Sequence, residues 1–220
     1  MNALERLRAL DACAVSDALE RHGLPPAAVG LVQVASPKAI AGRCITVLLG
    51  AATGEPSARH LCTAAVDASG AGDVIVVANS GRTDCAGWGG LLSQAASLRN
   101  VEGVVVDGAC RDVPEALDVG LAVYARGPVA VTARGRVVEQ SWGEPVQIAG
   151  TTVCTGDLVI ADASGVAFVP QAAAEEVIKT AEEIAAREAS MGAALRKGVP
   201  VSDVMGGDYE SLIARIERDD

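Results

Sequence analysis

The stretch "DVIVVANSGRTDCAGWGGLLSQAASLRNVEGVVVDGACRDVPEAL", residues 73–117, decides the fold. A short apolar run at 73–79 is followed by a glycine-rich turn, an alanine-containing amphipathic helix and a second apolar run at 103–107. This order of strand, loop, helix and strand predicts two parallel strands joined by a right-handed crossover. Their carboxyl ends then lie at one edge of the sheet, which is where ligands of open α/β sheets bind.

The segments before this unit predict two helices separated by a break and closed by Gly23, a strand at 41–52 and a helix at 57–69. After residue 120, short strands separated by glycine turns predict antiparallel pairing. A long helix is predicted from residue 171 to about residue 197, and a short amphipathic helix at 209–220.

Taken together, these elements predict an α/β fold, a mixed β-sheet with helices in a layered sandwich. We expect it to form a single domain over residues 1–220.

The composition excludes several classes of function. Half of the residues are hydrophobic but only 2% are aromatic, so the core is expected to consist of Val, Leu, Ile and Ala. A net charge of −10 without a basic stripe argues against a nucleic-acid partner. No apolar run reaches the ~20 residues of a membrane helix and no signal peptide is evident, so we expect no membrane partner and a cytoplasmic location. The six cysteines lack paired ligand spacing, which favours buried apolar thiols over structural zinc.

The glycine-rich turn carries the first candidate site. Gly87, Gly89 and Gly90 precede a helix whose first amides are free to bind a phosphate or a carboxylate. The alternative is a strand-to-helix turn that needs glycine only for positive φ angles.

The second candidate site is the pair Arg111 and Asp112, directly after the second strand. Arginine binds carboxylates through two parallel hydrogen bonds, and a lone aspartate with several waters is ligation that Mg²⁺ accepts. The alternative is structural, since Asp112 and Glu115 resemble a capping box and Pro114 suits a first helical turn. Because the two candidate sites follow neighbouring parallel strands, they favour a small carboxylate-bearing ligand, and the loop lacks the GxxxxGK[ST] pattern of a nucleotide site.

The stretch 87–117, "GWGGLLSQAASLRNVEGVVVDGACRDVPEAL", resembles the signature of the RraA-like family. Its metabolic members are class II pyruvate aldolases that cleave 4-hydroxy-4-methyl-2-oxoglutarate. Further blocks in the family's order are "VSDAL" at 15–19, "AGRCITV" at 41–47, "GDVIVVAN" at 72–79 and "PVQIAGTTVCTGDLVIADASGVAFVP" at 145–170. The resemblance implies a layered sandwich of the swivelling β/β/α type, assembled as a homotrimer or hexamer with active sites between subunits.

The resemblance also implies roles for single residues. Asp112 matches the residue that binds Mg²⁺ or Mn²⁺, and Arg111 matches the one that holds the substrate. The backbone that grips the pyruvyl carboxylate corresponds to Gly89, Gly90, Leu91 and Leu92. A glutamate on the carboxy-terminal helix of the neighbouring subunit, which supports metal-bound water, falls on Glu188; without the resemblance, Glu188 indicates only a solvated helix face.

The implied reaction is metal-dependent cleavage of 4-hydroxy-2-oxo acids to pyruvate through a metal-stabilised enolate, with oxaloacetate decarboxylation as a second activity. The alternative is a non-catalytic member that regulates a ribonuclease by protein–protein binding. One position departs from the aldolase pattern: Gly90 stands where an acidic residue is common. Asp84, Asp107 or a water would then have to support proton transfer.

Overall fold

The computed structural model describes residues 2–52, 54 and 59–206. Its strands are β1 (Val32–Ala35), β2 (Ile40–Ala51), β3 (Asp73–Trp88), β4 (Gly103–Cys110), β5 (Ala122–Pro128), β6 (Val137–Trp142), β7 (Val146–Ile148), β8 (Thr151–Val153), β9 (Leu158–Asp162) and β10 (Gly165–Val169). Its helices are α1 (Ala3–Leu7), α2 (Ala12–Arg21), α3 (Thr63–Ala68), α4 (Gly90–Leu98), α5 (Val113–Asp118), α6 (Ala174–Arg196) and α7 (Val201–Val204), with a 3₁₀ turn (Gln171–Ala173) before α6.

Eight of these strands form one mixed sheet in the order β1-β5-β4-β3-β2-β9-β10, with β6 also paired to β2. The central strands β2, β3, β4 and β5 are parallel to one another, and β1, β6, β9 and β10 join them by antiparallel pairing. β7 and β8 form a separate antiparallel hairpin. The predicted parallel pair is therefore confirmed. Antiparallel pairing after residue 120 is confirmed for β6 to β10, but it is wrong for β5, which pairs parallel with β4.

Both faces of the parallel strands are buried, which explains why their sequences are unbroken apolar runs. On one face, Ile75 and Val104 pack with residues of α3, α4 and α5. On the other face, Val74 and Val105 pack with residues of the β7–β8 hairpin. The helices α1, α2 and α6 cover β9 and β10 in a third cluster. The layered α/β sandwich with a mixed sheet is therefore confirmed.

The structure corrects the prediction that residues 80–90 form a turn. β3 continues to Trp88, because Ser80 and Gly81 adopt left-handed φ angles of 51° and 68° and the chain then rejoins β4. Pairing with β4 resumes at Arg82, slips again, and ends with Trp88 opposite Cys110. The turn signals in the sequence thus mark irregularities inside one long strand, of the kind that re-aim side chains beside active sites.

Smaller differences concern element bounds. α3 begins at Thr63, later than predicted, and residues 55–58 of the predicted helix lie outside the described part of the chain. Among the short strands predicted after residue 120, β6 begins only at Val137, so that the loop before it includes residues 129–136. The helix predicted at 209–220 also lies outside the described residues.

Cys13 and Cys154 are exposed, whereas the other four cysteines are buried as predicted. Within the described ranges, no helix is both long and apolar enough to cross a membrane.

Candidate active site

The ends of β3 and β4 lie side by side at one edge of the parallel sheet. Trp88 and Cys110, the last residues of these strands, are paired, and the Arg111 amide donates a hydrogen bond of 3.0 Å to the Trp88 carbonyl oxygen. α4 begins directly after β3, at Gly90, and α5 begins at Val113. The glycine-rich segment before α4 and the Arg111–Asp112 pair, which the sequence predicts at one edge of the sheet, therefore lie together there.

Asp112 connects the two helices that start at this edge. It precedes α5 but adopts the left-handed conformation, with φ 58° and ψ 44°, and its side chain makes no hydrogen bond to the start of α5. Instead, Oδ2 accepts the Gly90 amide of α4 over 3.0 Å and Oδ1 accepts Nε of Arg111 over 2.9 Å. The predicted capping box is therefore wrong, because a residue that caps its own helix usually has extended backbone angles. Asp112 caps α4 from outside.

The glycines at the start of α4 allow this close approach. Gly87, Gly89 and Gly90 are not among the glycines with positive φ, so the turn does not require them for their backbone angles. A Cβ on Gly90 would lie 3.0 Å from Cβ of Asp112 and 3.1 Å from Cβ of Glu115. A Cβ on Gly89 would lie 3.0 Å from Oδ2 of Asp112. These two glycines therefore leave room for Asp112 against the helix start.

The Asp112 carboxylate is held in its ionised form. Burial alone raises the pKa of Asp112, but the Gly90 amide and the Arg111 guanidinium outweigh burial and lower the pKa below its usual value. The side chains of Arg111 and Asp112 remain 37% and 30% exposed, so both can reach a ligand. Burial raises the pKa of the neighbouring Cys110 thiol to about 11, so this thiol is not an activated nucleophile at neutral pH.

A cavity of about 220 Å³ opens beside this pair. Its lining residues are His60, Leu61, Ala86, Trp88, Gly89, Gly90, Leu91, Leu92, Arg111, Asp112, Thr132, Ala133 and Arg134. All the residues that the family resemblance assigns to substrate binding therefore line one space. The volume is below the ~300 Å³ lower limit typical of pockets for drug-sized ligands, which suits a small organic acid.

Two polar residues that line this cavity were not predicted as site residues from the sequence. His60 precedes α3, and Arg134 lies in the loop before β6; both side chains are exposed. Neither belongs to the strand-helix unit that carries Arg111 and Asp112, so spacing along the chain gives no signal for them. The pairing of β6 with β2 and a hydrogen bond of 3.0 Å from the Ala86 amide to the Val131 carbonyl oxygen hold the loop of Arg134 at this edge.

A second cavity of about 530 Å³ adjoins the first. The two share the lining residues His60, Leu61, Thr132, Ala133 and Arg134. The walls of the second cavity also include Arg59, Val137 and Val138. The site can therefore accept a ligand that extends beyond the space next to Asp112.

The acidic residues considered as substitutes for an acid at position 90 lie elsewhere. Asp84 is paired with Arg82 through bonds of 2.9 and 2.8 Å, and the hydrogen bond from Arg82 lowers the pKa of Asp84. Asp107 is buried, accepts Nε of Arg126 over 2.6 Å, and lines a different cavity. Neither residue lines the cavity of Arg111 and Asp112.

Glu188 is exposed on α6, a helix that packs on α1 and α2. It does not line the cavity of the same chain. Its predicted role from a neighbouring subunit stays a prediction.

The donor set available for a metal is small. No group of three or more His, Cys, Asp or Glu side chains that could hold a metal occurs among the described residues. Asp112 offers an ionised and partly exposed carboxylate in which each oxygen accepts one hydrogen bond, so lone pairs remain. One carboxylate plus waters fits Mg²⁺ or Mn²⁺, and it does not fit the four tight ligands of structural zinc.

Curated relatives share sequence with this chain. Protein DlpA of Legionella pneumophila is 28% identical over 90% of this chain, which spans 32% of DlpA. A Burkholderia mallei protein named "Putative 4-hydroxy-4-methyl-2-oxoglutarate aldolase" is 37% identical over 48% of this chain and 64% of its own length. The chain thus spans less than two-thirds of these relatives.

Solved structures share the fold. An uncharacterised protein from Pseudomonas syringae superposes with a TM-score of 0.83 at 27% identity, over 93% of this chain and 96% of that one. RraAS2 of Streptomyces coelicolor, described as an unusual member of the RNase ES inhibitor RraA protein family, has a TM-score of 0.74 at 23% identity, over 82% and 91% of the two chains. At that identity the second likeness concerns the fold alone. The sequence model of the RraA-like family, described as Aldolase/RraA, matches residues 12–168, and the chain therefore belongs to the RraA-like family.

Proposed function

We propose that the cavity beside Arg111 and Asp112 is the active site of a divalent-metal-dependent lyase. Its substrates are 4-hydroxy-2-oxo acids of the 4-hydroxy-4-methyl-2-oxoglutarate type, which it cleaves to pyruvate, and it also decarboxylates oxaloacetate. The observation that carries the proposal is the contact between the start of α4 and the Arg111–Asp112 pair, because it supports carboxylate binding beside a metal ligand.

The substrate carboxylate binds at the amino-terminal end of α4. The first amides of a helix lack partners within the helix, and the helix dipole attracts an anion to them. The Gly90 amide is already bound to Asp112, so the amides of Leu91 and Leu92 hold the substrate. Arg111 donates Nε to Asp112, which leaves its two Nη groups to clamp the carboxylate.

Asp112 holds Mg²⁺ or Mn²⁺ directly or through water. When bound, the metal supplies positive charge next to the oxygen on which negative charge develops as the carbon–carbon bond breaks. The carboxylate suits this role because Gly90 and Arg111 keep it ionised and fix its direction.

A second copy of the chain completes the site. Leu91 and Leu98 on α4 are 82% and 86% exposed, and Leu117 on α5 is 49% exposed. Apolar side chains on two neighbouring helices beside the cavity support a covering subunit. We propose a homotrimer or hexamer in which the neighbouring subunit brings Glu188 to the cavity.

The test measures pyruvate release from both substrates with Mg²⁺, with Mn²⁺ and with chelator, corrected for spontaneous decarboxylation of oxaloacetate. We expect turnover only with metal, and its loss in Asp112→Asn and Arg111→Lys. The chain offers a matched control in the Arg82–Asp84 pair, which lies outside the cavity. Asp84→Asn and Arg82→Lys should therefore keep near-normal turnover.

The outcome also separates the catalytic proposal from the regulatory one. If no metal and no oxo acid gives turnover above background in a folded protein, the catalytic proposal is wrong. Binding to a ribonuclease, unaffected by Asp112→Asn, would then favour the non-catalytic alternative.

A further inference from the structure

The proposed reaction requires a group that moves a proton, and the structure narrows the choice. Position 90 is a glycine, and the space beside it is filled by Asp112 and Glu115. Among the described residues that line the 220 Å³ cavity, those with ionisable side chains are His60, Arg111, Asp112 and Arg134. Arginines do not release protons near neutral pH, and Asp112 is ionised and bound to two donors. His60 remains.

The position of His60 is fixed by the chain on its carboxyl side. Its carbonyl oxygen accepts the Thr63 hydroxyl over 2.9 Å, which ties it to the start of α3. The next residue but one, Cys62, is fully buried, and its amide donates to Glu139 of β6 over 2.7 Å. His60 therefore stands on an anchored segment although its own side chain is exposed.

The imidazole also has a defined orientation. Nδ1 lies 3.1 Å from the carbonyl oxygen of Leu61. Because a carbonyl oxygen only accepts hydrogen bonds, Nδ1 carries the proton in this arrangement and Nε2 of the neutral ring has a free lone pair. Nε2 is then ready to take up a proton and to return it.

We infer that Nε2 of His60 is the proton-transfer group of this site. The inference rests on the proposed function. In cleavage, Nε2 takes the proton of the substrate's 4-hydroxyl, the C4–O bond becomes a carbonyl, and the C3–C4 bonding pair becomes the enolate of pyruvate. Nε2–H then returns the proton to C3, which yields the methyl group of pyruvate and neutral histidine. No further reactant is needed.

The test uses the half-reaction that involves only proton transfer. Wild-type protein with Mg²⁺ or Mn²⁺ in D₂O should exchange the C3 protons of pyruvate for deuterium, measured by ¹H NMR. General acid–base groups contribute roughly 10²–10⁴-fold, so His60→Gln should slow exchange and cleavage by that factor. The other histidine provides the matched control: His22 is exposed on a different helix end, near Thr180, and His22→Gln should exchange like wild type.

A second measurement, of pyruvate binding near His60, shows whether a loss of exchange comes from lost proton transfer or from a misfolded protein. The chain has two histidines, so the His60 ring signal in the ¹H NMR spectrum can be assigned from the His60→Gln spectrum. Added pyruvate should shift the His60 signal and leave that of His22 unchanged.

Three outcomes would overturn the inference. If wild type exchanges and His60→Gln exchanges equally fast, His60 is not the group, although the proposed function stands. If Glu115→Gln abolishes exchange while His60→Gln does not, the group is Glu115. If wild type neither exchanges nor cleaves with any metal, the proposed function fails and this inference with it.

Discussion

Gly90→Ala tests whether α4 and α5 are as tightly coupled at the site as the structure indicates. The new Cβ would lie 3.0 Å from Cβ of Asp112 and 3.1 Å from Cβ of Glu115. The backbone fixes both of these atoms, so neither can rotate away, and α5 must move from α4. That movement lengthens the 3.0 Å bond between the Gly90 amide and Oδ2 of Asp112.

The expected change in the free energy of unfolding is the balance of two losses, from crowding and from the stretched hydrogen bond, and one gain from replacing a glycine. Inserting a methyl group into a packed contact costs about 1–3 kcal/mol, and weakening a hydrogen bond to a charged group removes up to about 1.5–3 kcal/mol. The two losses overlap, because one movement relieves the crowding and stretches the bond. Replacing glycine in a helix returns about 0.5–1 kcal/mol, and less at a first position. We therefore expect a net loss of about 1–3 kcal/mol, which at ~2–4 °C per kcal/mol for a chain of this size lowers Tm by about 2–12 °C.

The assay is thermal unfolding followed by circular dichroism, and Gly192→Ala is its matched control. Gly192 lies inside α6, and its nearest neighbour to a new Cβ is Nη1 of Arg196 at 3.5 Å, an ordinary contact. This control should keep or raise Tm, because alanine is the better helix former. If Gly90→Ala also keeps or raises Tm, α5 can move away from α4 without a loss of stability, and the crowding argument is wrong.

Three further predictions concern the same site. Gly90→Asp introduces the acid that the family resemblance implies at this position, and it should lower turnover, because its Cβ meets the same obstacles as that of alanine; activity above wild type would contradict the geometry. Asp112 has a lowered folded-state pKa, so its contribution to stability is present above the unfolded pKa near ~3.9 and is lost as pH falls through the folded pKa. The stability difference between wild type and Asp112→Asn, measured by urea unfolding, should therefore be constant from about pH 7 to 5 and shrink below about pH 4. Mixing inactive Arg111→Lys and Glu188→Gln chains in equal amounts should regain about a quarter of wild-type turnover, because random assembly gives that share of sites both intact residues; no regain, with subunit exchange verified, would remove Glu188 from the neighbouring site.

The sequence carries enough information for the parallel unit and its binding edge. The apolar runs around Val76 and Val105 predict strands buried on both faces, and the helix between them leaves parallel pairing as the solution. The proximity of Gly90 to Asp112 follows from this topology alone. Those predictions succeed because they depend on local periodicity and on one short crossover.

The parts that the sequence does not predict depend on contacts between distant segments. The turn signals at Ser80 and Gly81 are real, but pairing with β4 resumes after them, and only the partner strand determines that. His60 and Arg134 reach the cavity from loops that no motif connects to Arg111. The capping box is wrong for a related reason. The side chain of Asp112 can bond the start of α5, which is its neighbour in sequence, or the start of α4, which is its neighbour only in the folded structure, and it bonds α4.

The backbone of Asp112 links this fold to its proposed chemistry. With extended backbone angles at the start of α5, its carboxylate would bond the amides of that helix and face away from β3. The left-handed angles, which cost little for aspartate compared with most side chains, turn the carboxylate to Gly90 and Arg111 instead. α5 thereby loses a cap, and the cavity gains an ionised carboxylate that is fixed from two sides. A carboxylate that the Gly90 amide and Arg111 hold in one direction, beside a glycine that leaves it room, is what a preorganised ligand for a metal and an oxo acid requires.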